Sequence, residues 1–215
     1  MLSVICPIYN EAKYIDVCVQ SILLQDYPKQ QLEVLFVDGM SKDGTRDIVN
    51  NYSKQYPFIR LLNNEKRIVP VAMNIGIKAS IGDIVMRLDA HAQYPPNYFS
   101  VLVKELVRLR ADNVGVACKT DVLNKTSKTL AIREVLSNRF GVGNSTFRLG
   151  VDKVIEVDTV PFGCWKKDVF NKYGFYDERL IRNQDIELNK RIVRGGGHIF
   201  IVPDTYCTYL ARETF

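Results

Sequence analysis

The sequence predicts an α/β fold, with a mostly parallel central sheet flanked by helices. Three observations carry that expectation. Short apolar runs at 3–8, 32–37, 58–62 and 82–88 alternate with segments whose apolar residues recur at helical spacing, the pattern of a parallel sheet covered by helices. Polar clusters follow the runs at their carboxyl ends: Tyr9 with Glu11, Asp38 with Ser41, and Asp89 with His91. The chain of 215 residues is 47% hydrophobic, enough to bury one large core.

The elements follow in order. Ser3 to Ile8 reads as a buried strand in which Pro7 should end the ladder. Asn10 is the expected cap of a helix marked by Ile15, Val19, Ile22 and Leu23. Leu32 to Val37 is a second buried strand, turned by Asp38 to Thr45 into a helix from Arg46. Phe58 to Leu62 is the third strand, Val69 to Ala79 the third helix, and Gly82 to Leu88 the fourth strand. That strand runs into Asp89, His91 and Gln93, whose side chains would share one side of an extended segment before Pro95-Pro96 stops it. A helix over Tyr98 to Arg110, a strand over Val114 to Val122 and a helix over Ser127 to Phe140 are expected next. Then come a two-glycine loop, Gly141 to Thr146, and a strand, Val154 to Val157. Phe162 to Trp165 leads into a helix from Asp168; another spans Asn183 to Arg194, stopped by Gly195 to Gly197, and a strand covers His198 to Val202.

Composition narrows the function. A net charge of +5 suits an anionic ligand or surface. With no Lys/Arg run longer than two and no aromatic-basic stripe, nucleic acid is not expected. No uncharged apolar stretch is long enough for a spanning helix, and no basic leader follows Met1. Five scattered cysteines without C-x-x-C read as reduced thiols and give no zinc site. The expected location is the cytoplasm, or the periphery of the inner face of the plasma membrane. The missing G-x-G-x-x-G argues against a dinucleotide-dependent oxidoreductase, and the lack of a Gly-rich loop with Arg and Lys after the first strand against a nucleotidyltransferase.

In a parallel sheet, ligands sit outside the carboxyl ends of the strands, so the three polar clusters should meet in one crevice. Asp89, His91 and Gln93 offer carboxylate, imidazole and amide oxygen, ligands that suit Mn²⁺ or Mg²⁺. Asp185 opens a helix, where a carboxylate on its own reads as a cap. Trp165, the one tryptophan, is either core or a platform for a ligand. Arg67 and Arg182 are either diphosphate contacts or surface cations.

Four segments in order resemble the signature of family 2 glycosyltransferases: Cys6 to Glu11 (CPIYNE), Asp38 to Thr45 (DGMSKDGT), Ala72 to Asp83 (AMNIGIKASIGD) and Arg87 to Ala92 (RLDAHA). Ser137 to Ser145, Asp158 to Val160, Phe162 to Trp165 and Arg182 to Asn189 are similar to the bacterial succinoglycan-type glucosyltransferase branch. The resemblance implies a GT-A (nucleotide-diphospho-sugar transferase) fold and an inverting, metal-dependent transfer in polysaccharide biosynthesis. The implied donor is a UDP-sugar, with UDP-glucose favoured, and the implied acceptor is lipid-linked or an oligosaccharide. Pro7, Tyr9, Glu11, Asp38, Ser41 and Asp89 would bind the nucleotide sugar. Asp89, His91 and Gln93 would bind the metal. Asp185 would be the catalytic base, with Glu187 the runner-up, and Gly163, Trp165 and Arg182 would meet the acceptor. Residues 1–94 would form a nucleotide-binding half and 95–215 an acceptor-binding half of one catalytic domain. The chain departs from the family pattern where His91 replaces the second Asp of Asp-x-Asp, Gly39 the second Asp of Asp-Asp-Gly, and Gln184 the acid before the base. Those departures leave a catalytically impaired sugar-nucleotide-binding module as the alternative. Without Gln-x-x-Arg-Trp, one sugar per event is implied. Relatives usually continue into membrane-associated helices, so membrane attachment through residues beyond this chain is a further expectation.

Overall fold

The computed structural model describes residues 1–138 and 146–211. The chain runs β1 (Leu2–Ile8), α1 (Ile15–Leu23), β2 (Leu32–Asp38), α2 (Thr45–Gln55), β3 (Ile59–Asn63), α3 (Val69–Ala79) and β4 (Ile84–Arg87). It continues with β5 (Ala92–Gln93), α4 (Tyr98–Arg108), β6 (Asn113–Val122), α5 (Ser127–Ser137), α6 (Thr146–Leu149), β7 (Ile155–Glu156), β8 (Cys164–Lys166), α7 (Asp168–Tyr173), α8 (Gln184–Arg194) and β9 (Ile199–Ala211). Among the described residues all nine strands join one sheet in the order β3-β2-β1-β4-β8-β6-β9-β5, with β7 on β9. β1 pairs in parallel with β2 and β4, β2 with β3, and β6 with β9. β8 is antiparallel to both β4 and β6. It therefore joins the two parallel blocks.

β1 and β2 are buried along almost their whole length because helices cover both faces, which is why they read as continuous apolar runs. One core layer packs Ile15, Val19 and Ile22 of α1 with Leu102 and Leu106 of α4. The other packs Met73 and Ile77 of α3 with Phe170 of α7 and Leu188 and Ile192 of α8.

The structure corrects several boundaries. Pro7 stays inside β1, opposite Val37. The Ile5 carbonyl accepts from Leu88 on the β4 side, so the missing N–H of Pro7, two residues on, points the same way, beyond the end of β4 pairing. Asn10 caps no helix: it bends the chain at φ 53°, accepts from Lys42 N and donates its own N–H to Ser41. β8 was not predicted; three residues carry too little pattern. β9 runs far past Val202 because a bulge leaves 203–205 out of the ladder between Val202 and Tyr206. His198 stands just before β9, its ring 2.6 Å from Glu156. The expected helix end at Phe140, the two-glycine loop from Gly141, the motif across Ser137 to Ser145 and the tail 212–215 fall wholly or partly outside the described residues.

Candidate active site

A cleft of about 250 Å³ opens at the carboxyl ends of β1, β2 and β4. Pro7, Tyr9, Glu11, Asp89 and His91 line it, as do Arg67, Asn64 and Arg87. Tyr9 is exposed on its rim and covers Gly39, where a Cβ would meet its ring at 3.1 Å. A side chain at 39 would push that ring away, which accounts for the glycine at this point of the motif.

Asp38 and Ser41 lie one layer deeper, a correction to the expected base contact. Asp38 has 0% exposure. Its carboxylate accepts from the Ser41 N–H at 3.0 Å, from the Ser41 hydroxyl and from Arg46, both at 2.5 Å. The pair orders the loop under the cleft and turns no polar group into it.

Asp89 and His91 meet where β4 ends. The His91 Nδ1 lies 3.0 Å from an Asp89 oxygen and 3.5 Å from a Glu11 oxygen. Tyr209 packs edge-on against the imidazole at 4.9 Å. Burial alone would lower the His91 pKa, but the nearby carboxylates of Asp89 and Glu11 push it up to about 11. Burial alone would likewise raise Asp89, and the close imidazolium of His91 holds it below its usual value. The imidazolium therefore replaces part of the positive charge that two adjacent carboxylates need.

The metal expectation divides. Asp89 supplies a hard carboxylate that fits Mn²⁺ or Mg²⁺, while His91 becomes a donor only once its ring has lost its proton. Among the described residues no group of three or more His, Cys, Asp or Glu could hold an ion. An ion taken up at Nδ1 has to displace a proton. Gln93 is corrected out of the ligand set. A turn over Ala90 and His91 breaks the extended path, and Gln93 points to solvent from β5, opposite Thr208.

Asp185 sits in the first turn of α8, beside the cleft, with its side chain 22% exposed. A buried amide chain fixes that helix: Asn113 of β6 donates to Asn189 at 2.9 Å, and Asn189 donates to Thr159. The Asp185 Oδ1 accepts from the Arg87 Nη1 and from the Tyr176 hydroxyl at 3.3 Å. Burial raises the Asp185 pKa, opposed by Arg87. Glu187 is spoken for by Arg191, at 2.6 and 2.8 Å.

The acceptor set changes most. Trp165 is 1% exposed and packs on Phe170 at 5.7 Å, so it is core and no platform. Gly163 has φ 111°, and a Cβ there would strike the Trp165 ring at 2.5 Å. Its role is backbone shape, and its carbonyl accepts from the Arg87 N–H at 3.0 Å. Arg182 is exposed before α8 and does not line the cleft. Sequence reasoning gave no role to Arg87 or Tyr176. The available signal was Arg87 itself, a cation inside an otherwise apolar strand, which has to be paired if buried.

The model of glycosyl transferase family 2 matches residues 3–174. The chain belongs to that family. It is 28% identical over 218 residues to the dolichyl N-acetyl-alpha-D-glucosaminyl phosphate 3-beta-D-2,3-diacetamido-2,3-dideoxy-beta-D-glucuronosyltransferase of Methanococcus voltae, covering 99% of this chain and 68% of that protein. It is 29% identical over 221 residues to the succinoglycan biosynthesis protein ExoA of Rhizobium meliloti, covering 97% of this chain and 63% of ExoA. The crystal structure of GalNAc-T7 with UDP, GalNAc and Mn²⁺ superposes with a TM-score of 0.75 at 18% identity, over 99% of this chain and 44% of that one. The fold is GT-A and the chain is a glycosyltransferase. It spans about two thirds of the length of these two curated relatives. Among the described residues no helix is long and apolar enough to cross a membrane.

Proposed function

We propose that this chain is the catalytic domain of an inverting, metal-dependent transferase. It moves a sugar from a UDP-sugar, UDP-glucose first among the donors, onto a lipid-linked or oligosaccharide acceptor in polysaccharide biosynthesis. One observation carries the reading: Arg87, which lines the cleft together with Asp89 at the end of β4, holds Asp185 at the start of α8. The relatives support a lipid-linked or polysaccharide acceptor, since one by its name acts on a dolichyl-linked sugar and the other serves succinoglycan synthesis.

In this reading residues 1–94 hold the nucleotide and 95–215 the acceptor. Pro7, Tyr9 and Glu11 line the nucleotide side, and Arg67, exposed on the cleft wall, is placed to attract the diphosphate. Asp89 and His91 would hold Mn²⁺ or Mg²⁺, which supplies Lewis-acid neutralisation of the leaving diphosphate. Asp185 takes the proton of the acceptor hydroxyl as that oxygen attacks the anomeric carbon from the face opposite the diphosphate. A positioned base of this kind contributes roughly 10²–10⁴-fold. Attachment to the inner face of a membrane belongs to the same proposal and is read by fractionating the whole protein.

The test is UDP release from UDP-glucose with Mn²⁺, wild type against Asp185→Asn. Loss of turnover with UDP affinity retained is expected. Tight UDP binding without turnover in the wild type, on any acceptor offered, would instead identify a sugar-nucleotide-binding module.

A further inference from the structure

We propose that Arg87, with Tyr176, is a positioning residue for the base: together they grip Oδ1 of Asp185 and leave Oδ2 to receive the acceptor's proton. This rests on the reading of Asp185 as the base. Both contacts reach the same oxygen, Arg87 through Nη1 and Tyr176 at 3.3 Å. Among the described residues no hydrogen bond reaches Oδ2. In the step that follows, the acceptor O–H breaks and its proton moves to Oδ2. The oxygen's electron pair forms the bond to the anomeric carbon, and the nucleoside diphosphate leaves with the pair of the old C–O bond.

The grip is built into rigid parts. Arg87 is the last residue of β4, buried, with its N–H on the Gly163 carbonyl and its guanidinium 5.7 Å from the Phe162 ring. Tyr176 is buried and follows α7. Strand β4 thus carries the anchor of the base two residues before Asp89, so one strand sets the spacing between donor and base. A buried ion pair is weak evidence for a stability role, because apolar residues of similar volume often do as well. Val85, two residues back on the same face of β4, is fully buried in an apolar layer, so this face of the strand tolerates apolar side chains. The charged pair is then best explained by what it orients. The groups facing Asp185 are Arg87 and Tyr176 in contact and Asp89 at longer range.

The experiment compares Arg87→Gln, Arg87→Lys and Tyr176→Phe with Asp185→Asn. UDP release from UDP-glucose with Mn²⁺, with water as acceptor, is followed across pH, and the Asp185 carboxyl is titrated by carbon-13 NMR, assigned through Asp185→Asn. Arg87→Gln should lower kcat by about tenfold or more, with KM for UDP-glucose held within about twofold. The same change should move the carboxyl midpoint, and the acid limb of kcat, upward by about 1–3 pH units. Arg87→Lys should recover part of both, since it keeps charge but not the planar fork. Tyr176→Phe should give a smaller loss in the same direction, and it carries the test if Arg87→Gln does not fold. An unmoved midpoint, or a rise in KM alone, overturns the inference. Full turnover in Asp185→Asn overturns the base reading instead, and the carboxyl titration still reads the grip.

Discussion

Two carboxylates stand at the same end of one sheet, and their surroundings push them apart. Asp89, at the β4 mouth, is half-buried beside an imidazolium and stays below its usual pKa. Asp185, at the α8 mouth, is half-buried beside Arg87, yet desolvation outweighs the guanidinium and its pKa rises. The donor side therefore keeps a permanent anion, while the acceptor side keeps one that can accept a proton. Separation of this kind assigns the roles: the first suits a cation and a diphosphate, the second a proton in transit. The largest expected effect follows directly. Asp185→Asn should lower kcat by roughly 10²–10⁴-fold while UDP affinity with Mn²⁺ stays near wild type. A matching loss of UDP affinity would mean that both carboxylates serve the donor, and the comparison would collapse.

Asp89→Asn should do the reverse. It removes the charge facing His91 and the oxygen offered to a cation. We expect UDP affinity in Mn²⁺, measured by calorimetry, to fall about 10–100-fold, the range seen when groups around a metal are altered. Affinity without metal should fall less. Equal losses with and without Mn²⁺ would assign Asp89 to the nucleotide alone.

The pH profile sharpens the contrast. Turnover needs Asp185 ionised, so kcat falls as pH drops through its pKa, raised by desolvation above the ordinary aspartate value. Asp89 is held below that value, so the donor site keeps its anion to lower pH than the base does. UDP affinity measured without metal should therefore outlast kcat on acidification, since ion uptake at the His91 Nδ1 is itself proton-linked. Simultaneous loss of both would point to a single titrating group.

Much of the β4 mouth could be read from the sequence, and less of the α8 mouth. The alternation from Leu2 to Arg87 is regular, and Tyr9, Glu11, Asp89 and His91 all line the cleft, because strand ends in a parallel sheet must converge. Asp38 misled because a loop carboxylate reads the same whether it faces a ligand or its own loop; here Ser41 and Arg46 consume it. On the α8 side, β8 is only three residues long, and Tyr176 reaches Asp185 from an irregular segment without periodicity. Trp165 misled because aromatic size serves a core and a platform equally. Trp165→Phe should lower Tm by several degrees while leaving KM for any acceptor unchanged; truncating a buried aromatic costs about 3–5 kcal/mol at most.

The smallest expected effect tests where the β4 mouth ends. Gln93 was expected as a third ligand because Asp89, His91 and Gln93 alternate in sequence. That argument holds only for an extended chain. The turn at Ala90 and His91 breaks the alternation, and the His91 carbonyl accepts from Leu210 to start the β5 pairing with β9. The His91 ring is thereby drawn inward, to Asp89 and Tyr209, while Gln93 faces solvent. Gln93→Ala should change Mn²⁺-dependent UDP affinity and kcat by less than about twofold, as surface substitutions usually do. A tenfold loss of metal-dependent affinity alone would return Gln93 to the ion, and would mean that the turn at Ala90 straightens when donor and metal bind.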